Sequence, residues 1–441
     1  MSHPRAGLPA DHALAELLPP LTSNEAFVES SRCLMCYDAP CTHACPTHID
    51  IPKFIKKIST GNLRGSARTI LEANLLGATC ARVCPVQQLC EGACVLGSER
   101  KPIAIGRLQR HAMDYFYASN TKLFAPAKPT GKSVAVIGSG PAGLSCAGEL
   151  AKRGHSVTLY EKRELPGGLS TYGIIGLREP VEVALEEAEM IKRLGVNIVT
   201  GKDVGADIPV ADLQKQFDAV FLSLGLGYTP DLAIPGEEFI LDGLEYIEQS
   251  KSDAAAMKVG QKVVVIGAGN TAIDCATIAK RLGAERVTMI YRRTENEMTA
   301  YPHEYDFIKR EGVGFYFLAQ PTRVHQENGK ISALECLRME LGENDSSGRP
   351  APRPLAGSEF LLPADQIVKA IGQKKPSLAT QLNLKTENGF IKVDEHFQTS
   401  LAGVYAGGDC IRARGAASTV MAVEDGKLAA NAIHERLVSR G

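Results

Sequence analysis

The chain has 441 residues, enough for about three domains of ordinary size. It is 44% hydrophobic and 22% charged, which is typical of a folded globular protein. Its net charge of -1 argues against nucleic acid and anionic membranes as partners, and no apolar run approaches the roughly 18 residues that span a bilayer. Residues 1–20 lack the basic start and apolar core of a signal peptide, so we expect a cytoplasmic protein.

The first part of the chain, from residue 26 to about residue 116, has a helical pattern with cysteines at its turns. Apolar residues at i, i+3 and i+4 spacing predict helices over Ile51–Ser59 and Ala67–Leu76. The polar stretch Ser119–Lys132 contains two prolines, which predicts a linker after this helical region.

A strand–glycine turn–helix–strand pattern follows the linker and occurs twice. The predicted strands and helices are Ser133–Ile137, Ala142–Arg153 and Ser156–Tyr160, then Lys262–Ile266, Thr271–Leu282 and Arg286–Tyr291. A last strand at Gly403–Tyr405 and a helix from about Ser418 to Leu437 end the chain. This internal repeat predicts two doubly wound nucleotide-binding domains.

Eight of the twelve cysteines lie between residues 33 and 94, and their spacing predicts a metal centre. They fall into two runs of four: Cys33, Cys36, Cys41 and Cys45, then Cys80, Cys84, Cys90 and Cys94. In the first run the last cysteine precedes a proline, a habit of iron–sulfur proteins in which that cysteine often ligates the other cluster. Two clusters in one small domain would conduct electrons.

Disulfides and structural zinc are the alternatives for these cysteines. Disulfides need an oxidising compartment, which the absence of a signal peptide argues against. Zinc sites usually pair two Cys-x2-Cys motifs across a gap, and four closely spaced cysteines ending in Cys-Pro fit that pattern less well. Iron–sulfur clusters are the interpretation that we favour.

The first glycine-rich turn predicts a dinucleotide site. Gly138, Gly140, Pro141, Ala142 and Gly143 follow a strand and open a helix, whose N-terminus suits a pyrophosphate.

Further residues complete this dinucleotide site, and those near the C-terminus predict that the dinucleotide is FAD. Glu161 ends the second strand, where a carboxylate would hold ribose hydroxyls. Gly168 and Leu169 form a nearby turn of small residues. Near the C-terminus, Gly408 and Asp409 follow a strand, as in the second half of an FAD site. The helix that comes next would aim its N-terminus at the flavin ring and favour the reduced, anionic flavin.

The second glycine-rich turn predicts the nicotinamide nucleotide site, with Gly267, Gly269, Asn270 and Thr271 as its binding residues. Its second strand ends at Arg292 and Arg293, where an NAD site usually offers an acidic residue. Arginines suit the 2′-phosphate of NADPH, although a solvated basic turn is the alternative.

These motifs predict an N-terminal α-helical iron–sulfur domain followed by two α/β Rossmann-like dinucleotide-binding domains. We place the helical domain with two 4Fe–4S clusters at residues 1–125. The FAD-binding domain occupies 126–232 and 373–441, and the NAD(P)H-binding domain is inserted at 233–372.

In their order along the chain, these motifs resemble the glutamate synthase small subunits and the N-terminal half of dihydropyrimidine dehydrogenases. Arg178 after the Gly168 turn resembles the flavin loop of the pyrimidine enzymes. The segment Gly415–Val420, which contains Ser418 and Thr419, resembles their last FAD-binding turn. The chain is therefore similar to the electron-input subunit of the bacterial two-subunit dihydropyrimidine dehydrogenases.

The resemblance implies an interleaved set of cluster ligands. One cluster would be held by Cys33, Cys36, Cys41 and Cys94, and the other by Cys45, Cys84, Cys90 and Gln109. Cys80 would then ligate neither cluster, whereas the cysteine count alone favours two all-cysteine sites. NADPH-using relatives also carry a basic residue at the position of Thr299, which leaves NADH open as the donor.

The implied function is electron input. Hydride would pass from NAD(P)H to FAD, and single electrons would cross the clusters to an FMN- and iron–sulfur-containing partner subunit that reduces uracil or thymine. No side chain of this chain is expected to act as a catalytic acid, base or nucleophile. The alternatives are a glutamate synthase small subunit, a stand-alone NAD(P)H–ferredoxin type reductase, and a structural subunit.

Overall fold

A computed structural model describes residues 13–119, 121–125, 127–345, 348–412 and 417–439. The described chain forms two compact units. The large unit comprises Leu18–Thr171, Arg178–Leu226 and residues 375–439. The small unit comprises residues 13–17, Tyr172–Leu177 and Gly227–Lys374. The helical region that carries the eight clustered cysteines therefore lies in the same compact unit as the first glycine-rich turn.

The large unit begins with six α-helices: α1 (Ser23–Ser31), α2 (Pro40–His43), α3 (Ile51–Ser59), α4 (Leu63–Ala73), α5 (Gly77–Val83) and α6 (Ile105–Ala118). Polar side chains begin several of them, since Thr22 forms a capping box with Glu25 and Asp50 accepts the backbone N–H of Lys53. The helices bury their apolar faces together, with Phe54, Ile70 and Leu108 fully buried.

A parallel five-stranded sheet forms the rest of the large unit. Its strands are β1 (Ser133–Ile137), β2 (Ser156–Tyr160), β3 (Asn197–Val199), β4 (Ala219–Leu222) and β16 (Val404–Ala406), in the order β16-β4-β1-β2-β3. Its principal helices are α7 (Pro141–Lys152), α9 (Val181–Arg193), α10 (Val210–Gln216) and α15 (Thr419–Val438). Two short helices also occur, α8 (Leu169–Tyr172) and α14 (Ser377–Gln381). Strands β14 (Thr386–Glu387) and β15 (Phe390–Ile391) form a β-hairpin. Gly426 lets α15 approach α7, because a Cβ there would lie 2.2 Å from the carbonyl oxygen of Ala142.

The small unit contains a second parallel sheet, in the order β5-β13-β6-β7-β8. Its strands are β5 (Leu241–Asp242), β6 (Lys262–Ile266), β7 (Arg286–Tyr291), β8 (Gly314–Phe317) and β13 (Gln366–Lys369), and its helices are α11 (Gly243–Ser252), α12 (Asn270–Arg281) and α13 (Pro302–Arg310). An antiparallel sheet of β9 (Ala319–Glu327), β10 (Lys330–Asn344), β11 (Pro350–Pro354) and β12 (Phe360–Pro363) is inserted before β13. The sequence patterns gave no prediction of this antiparallel sheet.

Both predicted strand–helix–strand units are confirmed, with all four strand ranges as predicted and each helix displaced by one residue. Of the two predicted N-terminal helices, one is present as predicted and the other lies at Leu63–Ala73, ahead of the predicted Ala67–Leu76. No helix in the described ranges is long and apolar enough to cross a membrane.

Candidate cluster and dinucleotide sites

The first cysteine site is a cavity of about 390 Å³ in the large unit, partly open to solvent. Four thiols line it: Cys33, Cys36, Cys41 and Cys94. The structure therefore brings Cys94 to the first three cysteines of the chain and leaves Cys45 out of this group. The remaining walls are mainly apolar.

Local backbone conformation brings the first three cysteines of this site together. Cys33 follows α1, and Cys41 lies within α2. Between them Met35 and Asp38 adopt positive φ values of 54° and 51°, which turn the chain sharply. Burial raises the pKa of Cys33, and it raises the pKa of Cys41 to about 11. Without a cation these two thiols are therefore protonated, and a bound metal would displace their protons.

The second cysteine site is a cavity of about 360 Å³ lined by Cys45, Cys80, Cys84, Cys90 and Gln109. A hydrogen bond with Cys80 and burial raise the pKa of Cys84 well above its usual range. Burial, with the nearby Glu91 carboxylate, also raises the pKa of Cys90. Both Cys80 and Gln109 line this cavity, so its lining alone does not choose between them as a fourth ligand.

The amide of Gln109 has a fixed orientation. Its Nε2 donates to the carbonyl oxygen of Gly77 at 2.7 Å, and the side chain is buried. Because the amide nitrogen makes this hydrogen bond, the amide oxygen is the atom that is available to bind a metal. This geometry suits a glutamine ligand.

The cysteines that line each cavity are thiolate donors of the kind that bind iron–sulfur clusters. Among the described residues, no three His, Cys, Asp or Glu side chains converge closely enough to bind one metal ion. Four cysteines line the first cavity, and four thiolates are the ligand set that a 4Fe–4S cluster binds. The donor set of each cavity therefore fits a 4Fe–4S cluster.

Two apolar residues connect the cavities to their surroundings. Ile51, the first residue of α3, lines both cavities and is a shared wall. Val420, in the first turn of α15, lines the second cavity. Ile51 begins a predicted helix and Val420 ends the segment that resembles an FAD-binding turn, but the sequence predicts no contact of either residue with a cluster cavity. The predicted flavin residues Ser418 and Thr419 immediately precede Val420.

The first glycine-rich turn has the geometry of a dinucleotide-binding turn. Gly138 has φ +96°, and a Cβ there would lie 2.4 Å from the carbonyl oxygen of Ser223. A Cβ on Gly143 would lie 1.9 Å from the carbonyl oxygen of Gly138. A Cβ on Gly140 would meet nothing within 4 Å, so open space faces this glycine where a pyrophosphate would lie. Pro141 and Ala142 begin α7.

Glu161 is buried and stabilises this turn. One carboxylate oxygen accepts the backbone N–H of Ser139 at 2.9 Å and also its hydroxyl, and the other accepts the N–H of Arg163 at 2.9 Å. The predicted contact with a ribose remains a prediction.

The second turn predicted to bind FAD contacts the first. Gly168 has φ +58°, and a Cβ there would lie 2.7 Å from the Cα of Gly140. Leu169 begins α8 and is partly exposed, and Arg178 is half-buried shortly before α9. Glycine at residue 168 is therefore required by the close approach of the two turns.

The C-terminal part of the predicted FAD site is held by Asp425. The N–H of Gly408 donates to its carboxylate at 3.1 Å, and Arg412 forms an ion pair with the same oxygen. Burial raises the pKa of the neighbouring Asp409. Ser418 caps α15, and Thr419 is the first helical residue. Gly415 and Ala416, part of the predicted last FAD-binding turn, lie outside the described residues.

The predicted nicotinamide site lies in the small unit. Gly267 has φ +134°, and a Cβ there would lie 2.2 Å from the carbonyl oxygen of Ala370. A Cβ on Gly269 would lie 3.2 Å from the hydroxyl oxygen of Thr299. Asn270 accepts the N–H of Tyr301 at 3.1 Å, so this asparagine also holds the 299–301 segment beside the turn. Thr271 follows it in α12.

The structure separates the two predicted phosphate-binding arginines. Arg292 is exposed at the end of β7. Arg293 is 2% exposed, donates to the carbonyl oxygen of Pro350 at 2.8 Å and pairs with Asp345 at 2.6 Å. Arg292 is therefore the arginine of this pair that is accessible to a cofactor phosphate.

Comparison with known families matches most of the chain. Residues 132–432 match the pyridine nucleotide-disulphide oxidoreductase model, and residues 10–121 match the model described as dihydropyrimidine dehydrogenase domain II, 4Fe-4S cluster. The chain belongs to the pyridine nucleotide-disulphide oxidoreductase family. This member is an NAD(P)H-dependent oxidoreductase that uses FAD and 4Fe–4S chemistry, which confirms the predicted fold class and kinds of cofactor.

Individual relatives support the predicted resemblance. The chain is 34% identical to the NAD-dependent dihydropyrimidine dehydrogenase subunit PreT of Escherichia coli over 98% of both proteins. It is 32% identical to the Escherichia coli glutamate synthase [NADPH] small chain, over 95% of this chain and 93% of that one. It is 37% identical to the Moorella thermoacetica NADP(+)-dependent formate dehydrogenase subunit beta, but spans only 60% of that protein. All three names denote parts of larger enzymes.

The similarity to solved structures shows the fold of this chain and nothing further. The structure of FprA from Mycobacterium tuberculosis in complex with NADPH matches with a TM-score of 0.57 and 18% sequence identity. The match covers 71% of the present chain and 85% of FprA.

Proposed function

We propose that this protein is the electron-input subunit of a dihydropyrimidine dehydrogenase. In this role hydride would pass from NAD(P)H to FAD, and single electrons would cross two 4Fe–4S clusters to a partner subunit that reduces uracil or thymine to the 5,6-dihydropyrimidine. The proposed ligands of the first cluster are Cys33, Cys36, Cys41 and Cys94, and those of the second are Cys45, Cys84, Cys90 and Gln109.

The observation that carries the electron-input role is the order of the sites in the large unit. The second cavity is walled by Val420, directly after the predicted flavin residues, and shares Ile51 with the first cavity. The first cavity is bordered by Leu34 and Val95, which are both exposed. This arrangement supports a path from flavin to second cluster, to first cluster, and then to the protein surface.

The chain's own residues bind and insulate the cofactors. FAD and the clusters, when bound, supply the hydride and one-electron chemistry. The glycine turn at Gly138 would receive the pyrophosphate at the N-terminus of α7. The N-terminus of α15 would stabilise the negative charge of reduced flavin. Ile51 and Val420 give the cluster cavities part of their apolar lining.

For the nicotinamide nucleotide we propose Gly267, Gly269 and Thr271 as backbone contacts and Arg292 as the contact to a 2′-phosphate. The exposure of Arg292 supports NADPH, since a guanidinium pairs well with phosphate. Thr299 in place of a basic residue and the NAD-dependent relative support NADH. Steady-state kinetics with each nucleotide decides between them.

The pyrimidine assignment rests on the 34% identity to PreT over nearly the whole of both chains. The test is to purify the tagged chain anaerobically from its host and to identify its partner by mass spectrometry. We expect a subunit with an FMN barrel and ferredoxin-type cysteines, and the pair should oxidise NAD(P)H only when uracil or thymine is present. A purified pair without pyrimidine-dependent oxidation contradicts the proposal.

A glutamate synthase small subunit is the second candidate, because the identity to that chain is nearly as high. A large amidotransferase partner with glutamine-dependent NADPH oxidation would identify it. Reduction of soluble ferredoxin without a stable partner would instead indicate a stand-alone reductase.

A further inference from the structure

The hydroxyl of Thr47 lies against a proposed ligand of the second cluster. Thr47 follows Cys45 by two residues, is 1% exposed, and has its Oγ1 3.4 Å from the Cys45 sulfur. In the free thiol either atom could donate this hydrogen bond. A sulfur bound to iron has no proton, so the hydroxyl must then be the donor.

Asn74 directs the hydroxyl proton toward the sulfur. The backbone N–H of Leu76 donates to Oδ1 of Asn74 at 2.9 Å. The amide nitrogen of an asparagine cannot accept a hydrogen bond, so the side-chain atom that faces Leu76 must be the amide oxygen. The amide nitrogen of Asn74 therefore faces Thr47 and donates to its Oγ1 at 3.5 Å. With its oxygen accepting from Asn74, Thr47 has its proton available for Cys45.

Lys427 fixes the backbone that carries this hydroxyl. Its ammonium donates to the carbonyl oxygens of Thr47 at 3.0 Å and Ala73 at 3.2 Å. Lys427 belongs to α15, the helix that also carries Val420 and the predicted flavin residues. The segments on which Thr47 and Asn74 lie are thus both held from the flavin side.

We propose that Thr47 is a positioning residue that donates a hydrogen bond to the Cys45 thiolate and so makes the second cluster easier to reduce. The inference rests on the proposed ligand role of Cys45. Hydrogen bonds to cluster sulfurs help to set cluster potentials, because they stabilise the electron that the cluster gains. In the step concerned, one electron leaves the reduced flavin and enters the oxidised cluster. No bond forms or breaks at Thr47, and its proton stays on oxygen.

The test compares Thr47→Val, which removes the hydroxyl at constant volume, with Thr47→Ser, which keeps it. Each anaerobically purified holoprotein is titrated against a redox dye series and followed by electron paramagnetic resonance. We expect T47V to lower the potential of one of the two clusters and to leave the other unchanged. The equilibrium constant for electron entry should fall about tenfold, equivalent to about 59 mV for a one-electron couple. T47S should retain the native potential.

Matched controls separate the inference from the proposed function. Thr277→Val removes another buried threonine hydroxyl, one that bonds Ile273 in the small unit, and should change neither potential. Unchanged potentials in T47V with full iron content would overturn the inference and leave the proposed function intact. Absence of iron and of cluster signals from the wild-type protein would overturn both.

A second variant keeps the inference testable if T47V does not assemble its cluster. Asn74→Leu removes the donor that orients Thr47, and we expect a smaller decrease in the potential of the same cluster. An unchanged potential in N74L, with T47V unassembled, would overturn the inference.

Discussion

Replacing Glu187 with glutamine should abolish a specific pH dependence of stability. Glu187 lies on α9 and is fully buried, and one carboxylate oxygen accepts the N–H groups of Ala78 at 2.7 Å and Thr79 at 3.1 Å. These donors belong to the first turn of α5, whose Gly77 holds Gln109. Burial raises the pKa of Glu187 to about 8, so its carboxyl is protonated in the folded protein at neutral pH.

The sign and size of the effect follow from proton linkage. The folded state binds this proton up to about pH 8, whereas the unfolded state releases it near the ordinary value of 4.5. Between these values the folded state holds one more proton, so the free energy of unfolding decreases as pH rises. The slope approaches about 1.4 kcal/mol per pH unit, or about 3 kcal/mol between pH 5.5 and 7.5.

The assay is denaturant unfolding of the wild type and Glu187→Gln across pH 5–9, under anaerobic conditions. Other groups titrate in both proteins, so the quantity of interest is the difference between the two free energies of unfolding. We expect E187Q to be the more stable protein above pH 8, because an amide carries no charge to bury. Glu189→Gln, at a more exposed position on the same helix, should keep the wild-type slope. Equal slopes for the wild type and E187Q refute the reasoning.

Three further predictions concern the cofactor sites. Cys94→Ser should halve the iron content, from about eight atoms per chain to about four, since Cys94 lies with the first three cysteines; elemental analysis measures this. Gly143→Ala should yield protein without FAD by absorbance, because its Cβ would lie 1.9 Å from a carbonyl oxygen, whereas Gly176→Ala meets no atom within 4 Å and should retain FAD. Arg292→Ala should raise the KM for NADPH about tenfold or more, because the variant loses a charged hydrogen bond to the 2′-phosphate. The KM for NADH should change little, because NADH has no 2′-phosphate. Arg293→Ala should instead lower thermal stability, since it removes a buried guanidinium from its ion pair with Asp345 and its hydrogen bond to Pro350.

Much of the fold could be predicted from sequence because short-range rules apply to it. Glycine turns need positive φ or close backbone approach, and the strand and helix periods on either side of Gly138 and Gly267 are unambiguous. The helix predicted at Ala67–Leu76 was placed late, because Asn62 caps it early by accepting the N–H of Gly65. Sequence periodicity carries little information on that boundary.

The site was less predictable wherever partners are distant in sequence. Nothing local to Arg293 shows that Asp345 will bury and pair it. The polar chain from Asn74 through Thr47 to Cys45 depends on two segments that meet only in the folded protein. By contrast, Cys45 beside Pro46 and the family resemblance predict an exchange of Cys45 and Cys94 between the two cysteine runs, and the cavity linings group these cysteines in the same way.

This exchange has a consequence for the biogenesis of the protein. The proposed ligand sets of the two cavities overlap along the chain, one running from Cys33 to Cys94 and the other from Cys45 to Gln109. During synthesis, neither ring of donors is complete until Cys94 or Gln109 has left the ribosome. With these ligands, insertion of either cluster would follow synthesis of most of the helical region, and the two clusters would share one stretch of chain rather than occupy two separate modules.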